Sequence, residues 1–333
     1  MSLLADTPLS LLELATVPQG SDIPQTLQHM LEHARHADQL GFKRLWLAEH
    51  HNMAGIASSA TSVLVGQIAA QTQQIRVGSG GVMLPNHAPL VIAEQFGTLA
   101  SLYPDRIDLG LGRAPGTDPI TSRALRRDDM RAEQFPAEVA ELQRLLGDDT
   151  SGKRVKAYPG SGTHVPIWLL GSSLFSAQLA AHRGLPYAFA AHFAPRYLHE
   201  ALALYRQQFR PSEQLSEPYA IATIPLIAAA SDKEAHYLAT SSQQRVMALM
   251  SGQPLFLPPP VANMDELWDI PMQAQVQSFL AMAVVGGPAT LTFKLEALVK
   301  ELGVNELMFT NDIYDRQKRL DALEIVMDAV VGN

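Results

Sequence analysis

Cysteine is absent from all 333 residues. That removes disulfides, zinc–thiolate sites, iron–sulfur clusters and thiol nucleophiles from consideration. Basic residues are also scarce, 25 Lys and Arg against 33 Asp and Glu, for a formal charge of -8. No Lys/Arg-dense stripe is present, so a nucleic-acid-binding surface is not expected. The densest basic stretch, Arg123 to Arg127, runs straight into Asp128-Asp129 and reads as a self-neutralising solvated face. No apolar run approaches the ~20 residues of a membrane span. The opening Met-Ser-Leu-Leu-Ala-Asp-Thr-Pro has neither a basic region nor an apolar core of signal-peptide type. The expectation is a cytoplasmic protein with no membrane or nucleic-acid partner.

What the chain does have is 47% hydrophobic residues, arranged as short apolar runs alternating with amphipathic stretches. The runs are 10–17, 44–50, 75–84, 106–112, 166–172, 187–193, 219–229 and 306–311. Helical patterns cover 24–40, 58–73, 89–102, 132–146, 175–183, 195–209, 291–302 and 315–330. Eight such units imply parallel pairing by right-handed crossovers, and a closed (β/α)8 TIM barrel accounts for them better than an open sheet. The whole chain, 1–333, reads as one domain. Two stretches break the rhythm: 113–131, and a longer insertion at 231–290 between the seventh and eighth strands, which includes Leu257-Pro258-Pro259-Pro260. A connection of that length predicts an irregular lid over a site.

Active sites of such barrels lie at the C-terminal ends of the strands. Polar or glycine residues end nearly every run here: Thr16, Glu49-His50-His51, Gly80-Gly81, Gly112-Arg113, Gly171-Ser172-Ser173, His192 and Asn311. Two histidines and a carboxylate are costly to desolvate, and imidazole exchanges protons near neutral pH. A proton-handling role for one histidine competes with a structural pair. Adjacent strand residues face opposite ways, so His50 and His51 converge on a metal only if the strand has already ended; no metal site is expected.

Gly110-Leu111-Gly112-Arg113-Ala114-Pro115-Gly116 imitates a dinucleotide fingerprint, but its spacing is one residue too long and prolines stand where a helix should open. A nicotinamide site is not expected. Arg113 fits a ligand phosphate or ring edge, or else a surface ion pair. Ser172, Ser173 and Ser176 sit at a strand-to-helix junction, where hydroxyls either cap the helix or join its backbone N–H groups in holding an anion. Glycines within 75–85 signal a simple bend, a bulge or close approach of a flat ligand.

Taken together, Trp46 to Asn52, Gly78 to Pro85, Arg106 to Gly116, Leu169 to Ser173 and Ala180 to Pro186 resemble the bacterial-luciferase-like flavin monooxygenase superfamily, over nearly the whole chain. The resemblance implies an oxidoreductase acting on paired donors with O2. Reduced FMN would come from a separate flavin reductase, and a C4a-hydroperoxyflavin would oxygenate a small organic substrate. It places His50 as the catalytic histidine, Gly80-Gly81 at a non-prolyl cis peptide under the flavin ring, and Arg113, Ser173 and Ser176, with Ser172 beside them, at the phosphate. A second phosphate-contacting arginine falls among 123–131, with Arg131 the choice. Members often form homodimers through the regions of 58–73 and 89–102. Two departures, Gly112 at the luciferase cysteine position and Ser172 at a glutamate position, argue against light emission. The deazaflavin F420, serving hydride transfer, and a non-catalytic flavin-binding role are the alternatives.

Overall fold

The computed structural model describes residues 3–126, 131–148, 152 and 154–331. Eight strands close into a parallel barrel: β1 (Leu9–Glu13), β2 (Arg44–Leu47), β3 (Arg76–Met83), β4 (Ile107–Gly112), β5 (Ile167–Gly171), β6 (Tyr187–Ala190), β7 (Ala220–Ala228) and β9 (Glu306–Thr310). Each pairs with the next in chain order; β7 pairs with β9 and β9 with β1, which completes the ring. The expected (β/α)8 TIM barrel is what forms. A ninth strand, β8 (Val284–Gly286), extends only the far end of β7, alongside Leu226–Ala228.

Strand residues are buried on both faces because helices cover the outside and side chains fill the inside. All nine residues of β7 are buried. The interior carries its own small apolar cluster, Leu12, Trp46, Ala48, Trp168, Ala188, Ile221 and Met308. Trp46 and Trp168 meet edge-to-face at 5.0 Å. Beneath them, at the strand starts, lies a buried charge network. Arg44 binds Glu306 at 2.8 and 3.0 Å and Asp108 at 2.7 Å, and Arg76 reaches the other Asp108 oxygen at 2.6 Å. Trp46 and Tyr219 donate to the same carboxylates at 3.0 and 2.9 Å. With every oxygen partnered, this network plugs the N-terminal end of the barrel and leaves the opposite end open.

The outer helices are α1 (Ile23–Leu40), α2 (Thr61–Gln71), α3 (Pro89–Leu102), α4 (Pro119–Ala124), α5 (Arg131–Leu146), α6 (Leu174–Arg183), α7 (Leu198–Gln208), α8 (Asp232–Met250), α9 (Ile270–Phe279), α10 (Pro288–Leu302) and α11 (Arg316–Val331). Their ends follow local chemistry. Asp22 caps α1 through the Gln25 N–H at 2.8 Å, and Gly41 ends it with φ of 84°.

Three sequence expectations need correction. The irregular break at 113–131 contains α4, started by Asp118, whose carboxylate accepts from the Ile120 and Thr121 N–H groups. The 231–290 insertion is not an irregular loop: α8, α9 and β8 occupy most of it. Ser231 caps α8 through the Glu234 N–H, with Glu234 three residues on in a Ser-x-x-Glu start pattern. The apolar runs also overshoot the strands. β2 ends at Leu47 and β1 at Glu13, so the polar residues that follow lie in loops beyond the last paired position.

Candidate active site

Those loops enclose a cavity of about 570 Å3 at the C-terminal mouth of the barrel. The size suits a cofactor or small organic ligand. Its lining is mostly apolar, and its polar residues include His50, Arg113, His192, Arg245 and Asp312 together with Ser172, Ser173 and Ser176.

His50 stands just past β2. Its Nδ1 faces the Gly116 carbonyl at 3.3 Å, and a carbonyl only accepts, so Nδ1 carries the proton. No described residue bonds Nε2, which is therefore an acceptor. Burial lowers the His50 pKa below the ordinary imidazole value; the Gly116 bond opposes this and the Arg245 charge adds to it. The side chain is neutral at neutral pH. Gly116 holds φ of 65°, and a Cβ there would lie 2.8 Å from the Glu49 carbonyl oxygen, so this loop crossing needs glycine.

Glu49 and His51 take another task. Two apart in sequence, they lie on the same side of the chain, away from the intervening His50. His51 Nε2 donates to Glu49 Oε1 at 2.9 Å, and His87 Nε2 donates to the same oxygen at 2.8 Å. Glu49 Oε2 accepts from the Met83 N–H at 3.3 Å. Burial alone would raise the Glu49 pKa, but the two imidazole bonds outweigh it and bring the carboxyl to about 2. Ligand atoms of Glu49, His51 and His87 lie within 4.8 Å of one another, yet they satisfy each other by hydrogen bonds. They brace the loops that carry His50 and the end of β3.

The Gly80–Gly81 peptide is cis, as the resemblance implies. It coincides with a register shift between Ser79 and Val82 in the pairing of β3 with β4, and Gly80 lines the cavity. At the junction of β5 and α6, Ser173 is the N-cap residue but its side chain makes no capping bond. The capping explanation of that serine therefore fails. The hydroxyl and the open N–H groups of a ten-residue helix face the same cavity, an arrangement that favours an anion. Gly171 keeps the space for Ser176: a Cβ there would lie 2.3 Å from Ser176 Oγ. The Arg113 guanidinium sits 4.1 Å above the Phe175 ring at the start of α6, so a cation joins the anion-binding elements. Ser172, Ser173, Ser176, Arg113, Gly80 and His50 are thus brought to one cavity. Arg131 opens α5, and its side chain lies outside the described residues.

Two further lining residues, Arg245 and Asp312, carry no signal in the sequence; a third, His192, stands out there only as a polar strand end with no role attached. His192, past β6, has burial as the main cause of a pKa lowered to about 4, with His50 adding to it, and its Nδ1 has no partner among the described residues. Its place at a strand end was the available signal. Asp312 follows β9, and Arg245 Nη1 donates to its Oδ2 at 2.6 Å. Arg245 lies in the middle of α8, where nothing in the sequence marks it.

A parallel barrel with an acidic–basic plug at one end and a histidine, an open helix start and a largely apolar cavity at the other has the form of a TIM barrel with a small-molecule site at its mouth. The chain belongs to the luciferase-like monooxygenase family, whose sequence model, described as Luciferase-like monooxygenase, matches residues 9–306. It is therefore a member of an oxidoreductase family that uses O2 on small molecules. A "Luciferase-like monooxygenase" of Escherichia coli (strain K12) is 52% identical over 320 residues, 96% of each chain. The "Uncharacterized protein YvbT" of Bacillus subtilis (strain 168) is 50% identical over 324 residues, 97% of this chain and 96% of that protein. Among solved structures, apo-MsnO8 superposes with a TM-score of 0.90 at 36% identity, covering 97% of this chain and 98% of its own. More distant barrels, at 17% and 16% identity, include a Baeyer–Villiger monooxygenase constituent solved with FMN and an F420-dependent secondary alcohol dehydrogenase; these speak to the fold alone. Among the described residues no helix is long and apolar enough to cross a membrane.

Proposed function

We propose that this chain is a monooxygenase that takes reduced FMN from a separate flavin reductase and oxygenates a small organic substrate in the cavity above the barrel. The observation that carries the reading is the uncapped Ser173 at the start of α6. It faces the same cavity as Arg113, the cis Gly80–Gly81 peptide and His50. Ser172, Ser173 and Ser176, with the N–H groups at the start of α6, would hold the phosphate, and Arg113 would supply the opposite charge. The ring system would be placed beside the cis Gly80–Gly81 peptide, whose Gly80 lines the cavity.

When bound, reduced flavin supplies the electrons and the site of O2 activation. The residues position and protect. His50 Nε2 accepts a proton from, or bonds to, the reacting oxygen species and substrate. The apolar walls exclude water that would release peroxide instead of product. Residues 231–290 supply much of those walls through Val246, Leu249, Leu255, Phe279 and Leu280, and act as a lid on a single 1–333 domain. Exposed Val63, Val91 and Leu102 on α2 and α3 suit a homodimer contact, and light scattering that returns a monomer mass at micromolar concentration rules it out.

Oxygen-electrode assays with a generic flavin reductase, NADH and FMN test the reading over a panel of thioethers, ketones and aldehydes. Substrate-dependent oxygen uptake with an oxygenated product is expected. Tight binding of reduced F420 with no oxygen uptake instead assigns hydride transfer. FMN binding with no product from any class leaves a flavin carrier.

A further inference from the structure

The cavity contains a second charged pole, apart from the Ser173–Arg113 elements at the start of α6. Arg245 projects from α8; its Nη1 donates to Asp312 Oδ2 at 2.6 Å and its Nε to the Leu255 carbonyl at 3.2 Å. Nη2 makes no bond with any described residue. Asp312 is held from its other side by the Thr16 hydroxyl, 3.1 Å from Oδ1. Both side chains are largely buried, 13% and 19% exposed, and both line the cavity. A simple tie between α8 and the end of β9 gives no reason for this pair to line an otherwise apolar chamber. Desolvating two charges is costly, and a packed hydrophobic pair would hold the two elements as well.

The arrangement fixes a guanidinium plane with one N–H edge open. Val246, Leu249, Leu255, Phe279 and Leu280 line the same chamber. Asp312 makes the pole neutral as a pair, so it suits a singly charged, planar group better than a phosphate dianion. His50 lines the same chamber, and Arg245 is close enough to lower its pKa. A ligand held at Nη2 is thus within the same electrostatic neighbourhood as the reacting centre.

We propose that Arg245 is the specificity-determining anchor for a substrate bearing a carboxylate. That group meets Nη2, and an apolar chain or ring fills the space between α8 and α9. The inference rests on the flavin reading, because it assigns the Arg113 end of the cavity to the cofactor phosphate.

Isothermal titration of the FMN-loaded protein with 3-(benzylthio)propanoate and with its carboxamide is the test. The acid is expected to bind at least about tenfold more tightly, as a charge-assisted bond to a buried guanidinium should give. The preference is expected to vanish in Arg245→Gln. It is also expected to vanish in Arg245→Gln/Asp312→Asn, which keeps a hydrogen bond and leaves no unpaired charge. FMN affinity should stay unchanged in both. Equal affinity for acid and amide, a preference surviving in Arg245→Gln, or no binding across aryl and alkyl carboxylates of four to ten carbons overturns the proposal. The same titration without FMN separates the two readings. If FMN fails to bind while the Arg245-dependent acid preference persists, the cofactor assignment falls and the anchor stands.

Discussion

The Gly116 carbonyl fixes the tautomer of His50: with Nδ1 3.3 Å away and donating, Nε2 is left as an acceptor that has no partner among the described residues. This relationship joins the loop after β4 to the loop after β2 and decides what His50 can do. A neutral imidazole with an open Nε2 receives protons or hydrogen bonds, and it does not donate until it has been charged.

His50→Ala should therefore keep FMN binding and oxygen consumption while shifting turnover toward hydrogen peroxide. Coupled product formation should fall by roughly 10²–10⁴-fold, the usual contribution of a positioned acid–base group. Catalase-sensitive oxygen uptake beside product yield checks this; unchanged coupling removes His50 from the chemistry.

The pH profile follows from the same burial. Desolvation lowers the folded pKa of His50 below its ordinary 6.5, so the reactive neutral form is retained as pH falls through 6.5. The acidic limb of product formation should lie below 6.5 and disappear in His50→Ala. The sign for stability is the same, since the unfolded chain binds the proton first and acidification favours it. An acidic limb above 6.5 would contradict the placement of this side chain.

Glu49 provides a second, lower transition. Its folded pKa of about 2 lies below the unfolded value near 4.5, so its contribution is full above 4.5 and is lost as pH falls toward 2. Glu49→Gln should cost on the order of 2–3 kcal/mol through weakened bonds from His51 and His87. It should also flatten the stability curve between those pH values, read by urea unfolding. It should impair His50 coupling as well, because the braced loop carries both residues.

At α6, Ser173→Ala should weaken FMN binding about tenfold while changing stability by less than about 0.5 kcal/mol, since no capping bond is lost. Gly171→Ala should weaken binding comparably by driving Ser176 out of position. Loss of helix stability without loss of FMN affinity would restore Ser173 to a capping role.

At the closed end, Arg44→Met leaves Glu306 buried without a cation, while Asp108 keeps Arg76, and should cost about 3–5 kcal/mol, with FMN affinity unaffected in the protein that remains folded. Denaturant midpoints and FMN titrations on the same preparation separate the two effects.

The barrel was legible because each strand is a near-continuous apolar run and each helix has a helical period. The strand ends Glu49-His50-His51, Gly80-Gly81 and Gly171 to Ser173 were legible because polar groups there break that pattern. Long-range partners were not. His87 lies far along the chain from Glu49, and Gly116 fixes His50 through a backbone carbonyl that has no sequence signature. Arg245 lies on an α8 whose pattern carries only a weak amphipathic signal, and its site role depends on α8 folding over the mouth. Asp312, one residue past the Asn311 that was noticed, becomes conspicuous only when Arg245 reaches it.

The central claim is that FMN is held by its phosphate at the start of α6. The most direct measurement is equilibrium binding of FMN and of riboflavin, which lacks the phosphate, to the wild-type protein under anaerobic reducing conditions and in air. Reduced FMN should bind at least about a hundredfold more tightly than reduced riboflavin, with most of that difference lost in Ser173→Ala/Arg113→Gln. Equal affinity for the two flavins, or a difference that survives those substitutions, would contradict it.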